Sequence, residues 1–241
     1  MHLIHTDSRQ CKAVREEGLY CFGNINKSLL NEVQISISEI VFDLKSIETR
    51  REKLIRGTRD VVMLCGKSIQ ALHSNELPDA KLKISDARKM LDKFRDDAKD
   101  DLQRYLAVAE QELVEAYGLM SILEHSEMPN LTELNVSGPS YITGLLDSIG
   151  EIKRLVYDML REGKSDEAIR SFSLMQELYS LIYPLSVYDN LIPGLRRKID
   201  VSRILIEDVR SVITEEARRD TMIKSIDDLQ RKLASFYSKP L

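Results

Sequence analysis

Residues 28–74, SLLNEVQISISEIVFDLKSIETRREKLIRGTRDVVMLCGKSIQALHS, set the architecture of this chain. Val33, Ile37, Ile40, Leu44 and Ile47, then Leu54, Thr58, Val61, Cys65, Ser68 and Leu72, recur at spacings of three and four. That period puts them on one face of a long amphipathic helix. Arg51 falls on the same seam, and Gly57 and Gly66 lower the local helix propensity. The helix is expected to run to about Ser74 and to stop before Pro78.

The same reading extends down the chain. A second long segment, capped at Asp79 or Ser85, carries Ala87, Leu91, Phe94 and Ala98, then Leu102, Leu106, Ala109, Leu113, Ala116, Met120 and Leu123 on one side. SEMPNLTELNVSGPS (126–140) reads as the one substantial loop. A third helix is expected from about Tyr141 to Arg161, with Ile142, Leu145, Ile149, Ile152, Val156 and Met159 inward and Gly163 closing it. A shorter helix follows from Ser165 to about Ile182, and a last one begins around Pro193 and passes Leu233. The expected fold is all-α: a single bundle of about six or seven mostly long antiparallel helices. Residues 1–27 show no sustained period and read as a flexible N-terminal extension, leaving 28–241 as the helical domain.

Composition agrees. The 241 residues are 43% hydrophobic and 31% charged with no Trp. The ten glycines and six prolines are about 7% of the chain, against ~12% in average usage. A many-stranded protein needs more turn-formers than that. The net charge of -4 excludes a chain that attracts polyanions along its whole surface, so such a partner would have to meet a local basic patch. No run is long and apolar enough for a membrane span, and no secretory signal is read at the N-terminus. Cys11, Cys21 and Cys65 lack metal or redox spacing and suit reduced thiols in the cytoplasm.

Phosphate loops, zinc-protease motifs and nucleophile elbows are missing, and the four histidines lie in the extension or at expected helix ends. Carboxylates remain. Glu112 and Glu115 are three apart on the second segment, and Asp147 and Glu151 are four apart on the third, so each pair shares a face. Like charges at those spacings cost ~0.2–0.5 kcal/mol per pair in an isolated helix. Two pairs facing each other would repel more unless a cation lay between them, and oxygen ligands suit Mg²⁺ or Mn²⁺. Most acid pairs in a helical chain are simply solvated, and Asp147 and Glu151 lie almost opposite the apolar stripe of their helix. Gly144 and Ser148 share that far side, however, and small residues there permit another helix, subunit or ligand to approach closely. Basic residues gather in 50–59 (RREKLIRGTR) and 196–203 (RRKIDVSR). Tyr105 and Tyr117 are candidate stacking platforms for bases.

Taken together, the segments resemble the translin/TRAX family (translin and translin-associated factor X), which is all-helical. Residues 29–73, with their REKLIR basic stretch and Leu-His end, have the look of the family's first helix. QELVEA (111–116) resembles its Q-E-Y-V-E-A segment, and YITGLLDSIGEIKRL (141–155) its Y-L-x-G-x-x-D-x-x-G-E-L-x-R segment. GLRRKIDVSRILIEDVRSVI (194–213) is similar to the closing helix, with Ile199 where an aromatic is usual. The likeness spans about residues 28–215 and implies a translin-like bundle.

Carried onto this chain, the resemblance implies catalytic, metal-binding roles for Glu112, Glu115 and Asp147, with Glu151 as fourth acid. Translin-type subunits lack the full acidic set, so this chain resembles the TRAX type. The expectation is an Mg²⁺- or Mn²⁺-dependent endoribonuclease acting on single-stranded RNA. Arg50, Arg51, Lys53, Arg56 and Arg59, with Arg196 and Arg197, would hold the RNA backbone. The resemblance also implies a closed oligomer of about eight subunits, either a homo-oligomer or a mixed one with a translin-type partner. Whether single-stranded DNA also binds stays open. Two rival readings are a non-catalytic single-stranded RNA/DNA-binding module and a structural helical adaptor.

Overall fold

The computed structural model describes residues 30–237. They form seven α-helices, with no strand among the described residues: α1 (Asn31–His73), α2 (Leu77–Arg95), α3 (Ala107–Glu124), α4 (Leu131–Leu134), α5 (Gly138–Arg161), α6 (Ser165–Ile182) and α7 (Leu195–Tyr237). Single 3₁₀ stretches lie at Asp100–Tyr105 and Tyr183–Tyr188. The all-α expectation holds. The expected extension, 1–27, falls outside the described residues.

The chain divides into two units, Met1–Thr49 and Arg50–Leu241. In the first, the described part is the opening of α1, where Val33, Ile37, Ile40 and Leu44 are 42–57% exposed. In the second, the same seam is buried as its period predicts, at Leu54, Thr58, Val61, Cys65, Ser68 and Leu72. The three-and-four pattern therefore runs the length of α1, and within the second unit it forms the buried face of the helix.

Four local expectations need correction. The second long segment is two helices rather than one, broken between Arg95 and Ala107. The sequence at the break, DDAKDD (96–101), concentrates four acidic residues in six positions, a composition of low helix propensity. Ala98, Leu102 and Leu106 stay buried through the elbow, so the apolar period continues where the helix does not. The elbow is tied to α1, where Arg50 Nη1 donates to the Asp97 carbonyl at 3.3 Å. Lys53 pairs with the Asp97 carboxylate at 2.6 Å. Arg51 Nε donates to the Tyr105 hydroxyl at 2.9 Å.

The 126–140 loop contains α4. Asn130 Oδ1 accepts from the N–H groups of Thr132 and Glu133, while Glu133 accepts from the Asn130 N–H, a reciprocal capping box. The third helix starts earlier than expected, because the Ser137 side chain caps it and Pro139 sits in its first turn. Neither Asp79 nor Ser85 caps α2; Glu76 occupies the N-cap, with Pro78 in the first turn. Gly163 does close α5, at φ 76°, with the Lys164 N–H donating back to the Met159 carbonyl.

α5 is the central rod. One face meets α6 and α7, where Leu146, Ile149, Ile152 and Val156 pack with Ala168, Phe172, Met175, Leu195, Ile199, Ile206 and Val209. The opposite face meets α3. Ser148 is 1% exposed beneath Gly118, and the Gly144 backbone lies against Gln111 and Val114. The small residues on the far side of this helix thus admit a neighbour from the same chain. Buried Glu110 fixes the register of that contact: it accepts from Arg95 Nη1 at 3.0 Å and from the Ser137 N–H and Oγ at 3.0 and 2.9 Å.

Candidate acidic site between α3 and α5

The α3–α5 contact brings the two acid pairs together. Glu112, Glu115 and Asp147 line one cleft of about 580 Å³, whose other wall is Gly194, Arg197, Lys198, Val201 and Ser202 of the α7 entry. Glu151, one turn beyond Asp147, interacts electrostatically with both glutamates. Cys65 of α1 packs behind them, its thiol pushed up to about 12 by burial and by Glu112 and Glu115.

The charges in this cleft are only partly compensated. Burial, then the charges of Glu112, Asp147 and Glu151, push the Glu115 carboxyl up to about 8, against the weaker pull of Lys198. Burial and Asp147 raise Glu112 as well. Asp147 accepts from Gln111 Nε2 at 2.6 Å and pairs with the Lys198 ammonium. Glu151 is held below the usual carboxylate range by the hydrogen bond from His73 Nε2, 2.5 Å away. With Asp147 and Glu151 so engaged, no three His, Cys, Asp or Glu side chains among the described residues are grouped to hold a metal ion. The cleft has the donor chemistry of a hard-cation site but is not closed into a ligand cage.

Sequence reasoning missed Gln111, His73 and Lys198. Lys198 sat inside the noted 196–203 cluster, and its i,i+4 partner Ser202 lines the same cleft, so the face was readable. His73 stood out only as the end of α1. Of the expected nucleic-acid residues, Arg197 lines the acidic cleft and Arg196 is exposed on the same first turn of α7. Arg50, Arg51 and Lys53 brace the elbow, whereas Arg56 and Arg59 are exposed. At 1.5 Å per residue, the 50–59 segment lies about 9–22 Å along α1 from Cys65. Tyr105 lies beneath Arg104 and Arg51, with guanidinium-to-ring distances of 5.2 and 5.8 Å.

A pH dependence follows. The folded Glu115 carboxyl keeps its proton to about 8, whereas the unfolded one loses it near 4.5. The folded state therefore binds the extra proton between those values, and stability falls as pH rises through that window. In a chelator-containing buffer the drop from pH 5 to 8.5 is expected to be ~2–4 kcal/mol, read as a falling melting temperature. Glu115→Gln should remove most of the slope. An unchanged slope in that variant would place the burden on other groups.

The translin family matches residues 49–213. An uncharacterised protein of Methanocaldococcus jannaschii is 29% identical over 167 residues, covering 68% of this chain and 75% of that protein. The crystal structure of AfC3PO is 27% identical with a TM-score of 0.69, covering 75% of this chain and 96% of its own. AfC3PO in complex with duplex RNA is 26% identical with a TM-score of 0.68, covering 75% and 95%. Apo-NeC3PO, at 19% identity and TM-score 0.67 over 74% and 95%, is alike in fold. No helix among the described residues is long and apolar enough to cross a membrane. With the family match covering more than half of its length and including every residue that lines the cleft, the chain belongs to the translin family.

Proposed function

We propose that this protein is a metal-dependent endoribonuclease, a TRAX-like subunit of a closed cytoplasmic oligomer, with its site at Glu112, Glu115, Asp147 and Glu151. The observation that carries this reading is the clustering of carboxylates from α3 and α5 at one half-buried cleft, where burial, and after it their mutual repulsion, lifts Glu115 to about 8. A protein designed only to be stable has no use for that arrangement. The donor set suits Mg²⁺ or Mn²⁺. Bound there, such an ion would supply a polarised water and neutralise charge on the scissile phosphate.

The chain's own residues have distinct tasks. Glu112, Glu115 and Asp147 present oxygens to the cleft, and His73 fixes the Glu151 carboxylate in its charged form. Lys198 offsets Asp147 in the metal-free protein, and Arg197 stands beside it for a backbone phosphate. The likeness to AfC3PO, which one structure describes with duplex RNA, favours an RNA ligand and makes both strand forms worth testing.

End-labelled unstructured RNA and a matched duplex, incubated with the protein and Mg²⁺, are expected to give internal cuts in the unstructured strand. EDTA should abolish them and Mn²⁺ restore them. Cutting that persists in EDTA rejects the metal site. Salt-sensitive binding without any cutting leaves a non-catalytic module, a reading the Lys198–Asp147 pair would favour by occupying a ligand position. No RNA shift at low salt, with a stable oligomer, leaves an adaptor.

A further inference from the structure

Asp147 is held from two sides. Its Oδ2 accepts from Gln111 Nε2 of α3 at 2.6 Å, and its Oδ1 pairs with Lys198 of α7 across the cleft. Asp147 and Lys198 line that cleft, whereas Gln111 stands behind the carboxylate, outside the lining. One oxygen is thus drawn back toward α3, and the other meets a positive group within the cleft. The close approach of the two helices explains how a side chain of α3 reaches so far. Gly144 presents no Cβ, and an added one would lie 2.5 Å from the Gln111 carbonyl oxygen. Residue 111 therefore sits against α5, and Asp147, three residues after Gly144, lies on the same face one turn along. The short glutamine stem spans the remaining gap. Gln111 shares α3 with Glu112 and Glu115, so its amide ties the acids of both helices into one frame. An amide suits that place, because it donates to a carboxylate without adding a charge to the cluster.

We propose that Gln111 is a positioning residue: its amide withholds Oδ2 of Asp147 and turns Oδ1 into the cleft as the oxygen offered to a divalent cation. The inference deepens the nuclease reading and rests on its acidic site. The contact with Lys198 shows that Oδ1 is open to a positive group. A carboxylate free to rotate would have to be ordered at each binding event, and the brace removes that cost. Partners that orient metal ligands in this way commonly carry about 10–100-fold in metal affinity.

The test counts Mn²⁺ bound to the full chain, read as loss of the free-ion electron paramagnetic resonance signal. Gln111→Met keeps the length of the side chain and removes its donor. It should weaken Mn²⁺ binding about tenfold or more, while the metal-free protein melts within ~4 °C of wild type. Asp147→Asn should also weaken binding. Adding Gln111→Met to it should cost less than about twofold further, because the brace acts through Asp147. Gln111→Ala, which suits a helix, should repeat the loss if the methionine crowds Gly144. A merely structural role predicts the reverse, a lower metal-free melting temperature with Mn²⁺ affinity unchanged. Both Gln111 variants binding Mn²⁺ within about twofold of wild type would overturn the proposal and leave the acidic site standing. So would losses that simply multiply in the double variant. Wild-type protein that binds no Mn²⁺, or binds it equally well with Glu112→Gln and Glu115→Gln, would overturn the site assignment and this inference together.

Discussion

Glu112→Gln combined with Glu115→Gln is expected to reduce Mg²⁺-dependent RNA cleavage at least about a hundredfold, since even residues that merely support metal ligands carry effects of 10–100-fold. Glutamine keeps the shape and one carbonyl oxygen, so the α3–α5 packing should survive while two anionic ligands are lost. Three readouts separate the site assignment from simple damage. Without metal, the double variant should melt higher than the wild type above pH 8, because burial and like charge no longer penalise ionised glutamates there. Added Mg²⁺ should raise the melting temperature of the wild type but not of the variant. RNA binding at low salt should be unchanged or tighter, because two negative charges have left a cleft facing phosphates. Cleavage within tenfold of wild type, with that stabilisation present, would show that the acids repel one another for no catalytic purpose.

Helix existence and the site helices were legible because they rest on strong periods. The seam from Leu54 to Leu72 is buried as its spacing requires, as are Ile149, Ile152 and Val156 of the α5 stripe, whereas Ile142, Leu145 and Met159 are half-buried. The acid pairs were legible as faces, and Gly144 with Ser148 hinted that the far side of α5 was covered. Which element covered it could not be read from α5 alone, since contact between α3 and α5 is a tertiary choice. The elbow at Asp96–Leu106 escaped because the apolar period runs through it, and only charge density marked the break. The opening of α1 shows the converse: a perfect seam at Val33–Leu44 announces a helix, yet the pattern says nothing about whether a partner is present. Gln111, His73 and Lys198 escaped for a further reason. Each meets its carboxylate across 36–78 residues of sequence, and no local spacing encodes such a meeting.

The close approach of α3 and α5 that makes the site can be tested by a glycine series. A Cβ at Gly144 would lie 2.5 Å from the Gln111 carbonyl oxygen and 2.7 Å from Val114 Cβ. The oxygen is backbone and cannot rotate away, so the helices themselves must part. At Gly118 the nearest atom is Ser148 Oγ, 2.6 Å away but on a rotatable side chain, and at Gly150 nothing is nearer than Leu205 Cδ1 at 4.0 Å. All three glycines lie within α3 or α5, so alanine brings each a similar propensity gain of ~1 kcal/mol. Overpacking of ~1–3 kcal/mol or more opposes that gain at Gly144, and the shift forced on the Ser148 side chain offsets most of it at Gly118. Gly150→Ala is therefore expected to stabilise slightly and Gly118→Ala to be near neutral. Gly144→Ala should melt several degrees lower, at ~2–4 °C per kcal/mol for a chain of this size. Because Gln111, Glu112 and Glu115 ride on α3 while Asp147 lies one turn beyond Gly144, the same substitution should weaken Mg²⁺-induced stabilisation of whatever folded protein remains. If the three variants melt alike, the tight helix contact does not exist, and the two acid pairs have no fixed distance from which to act on one phosphate.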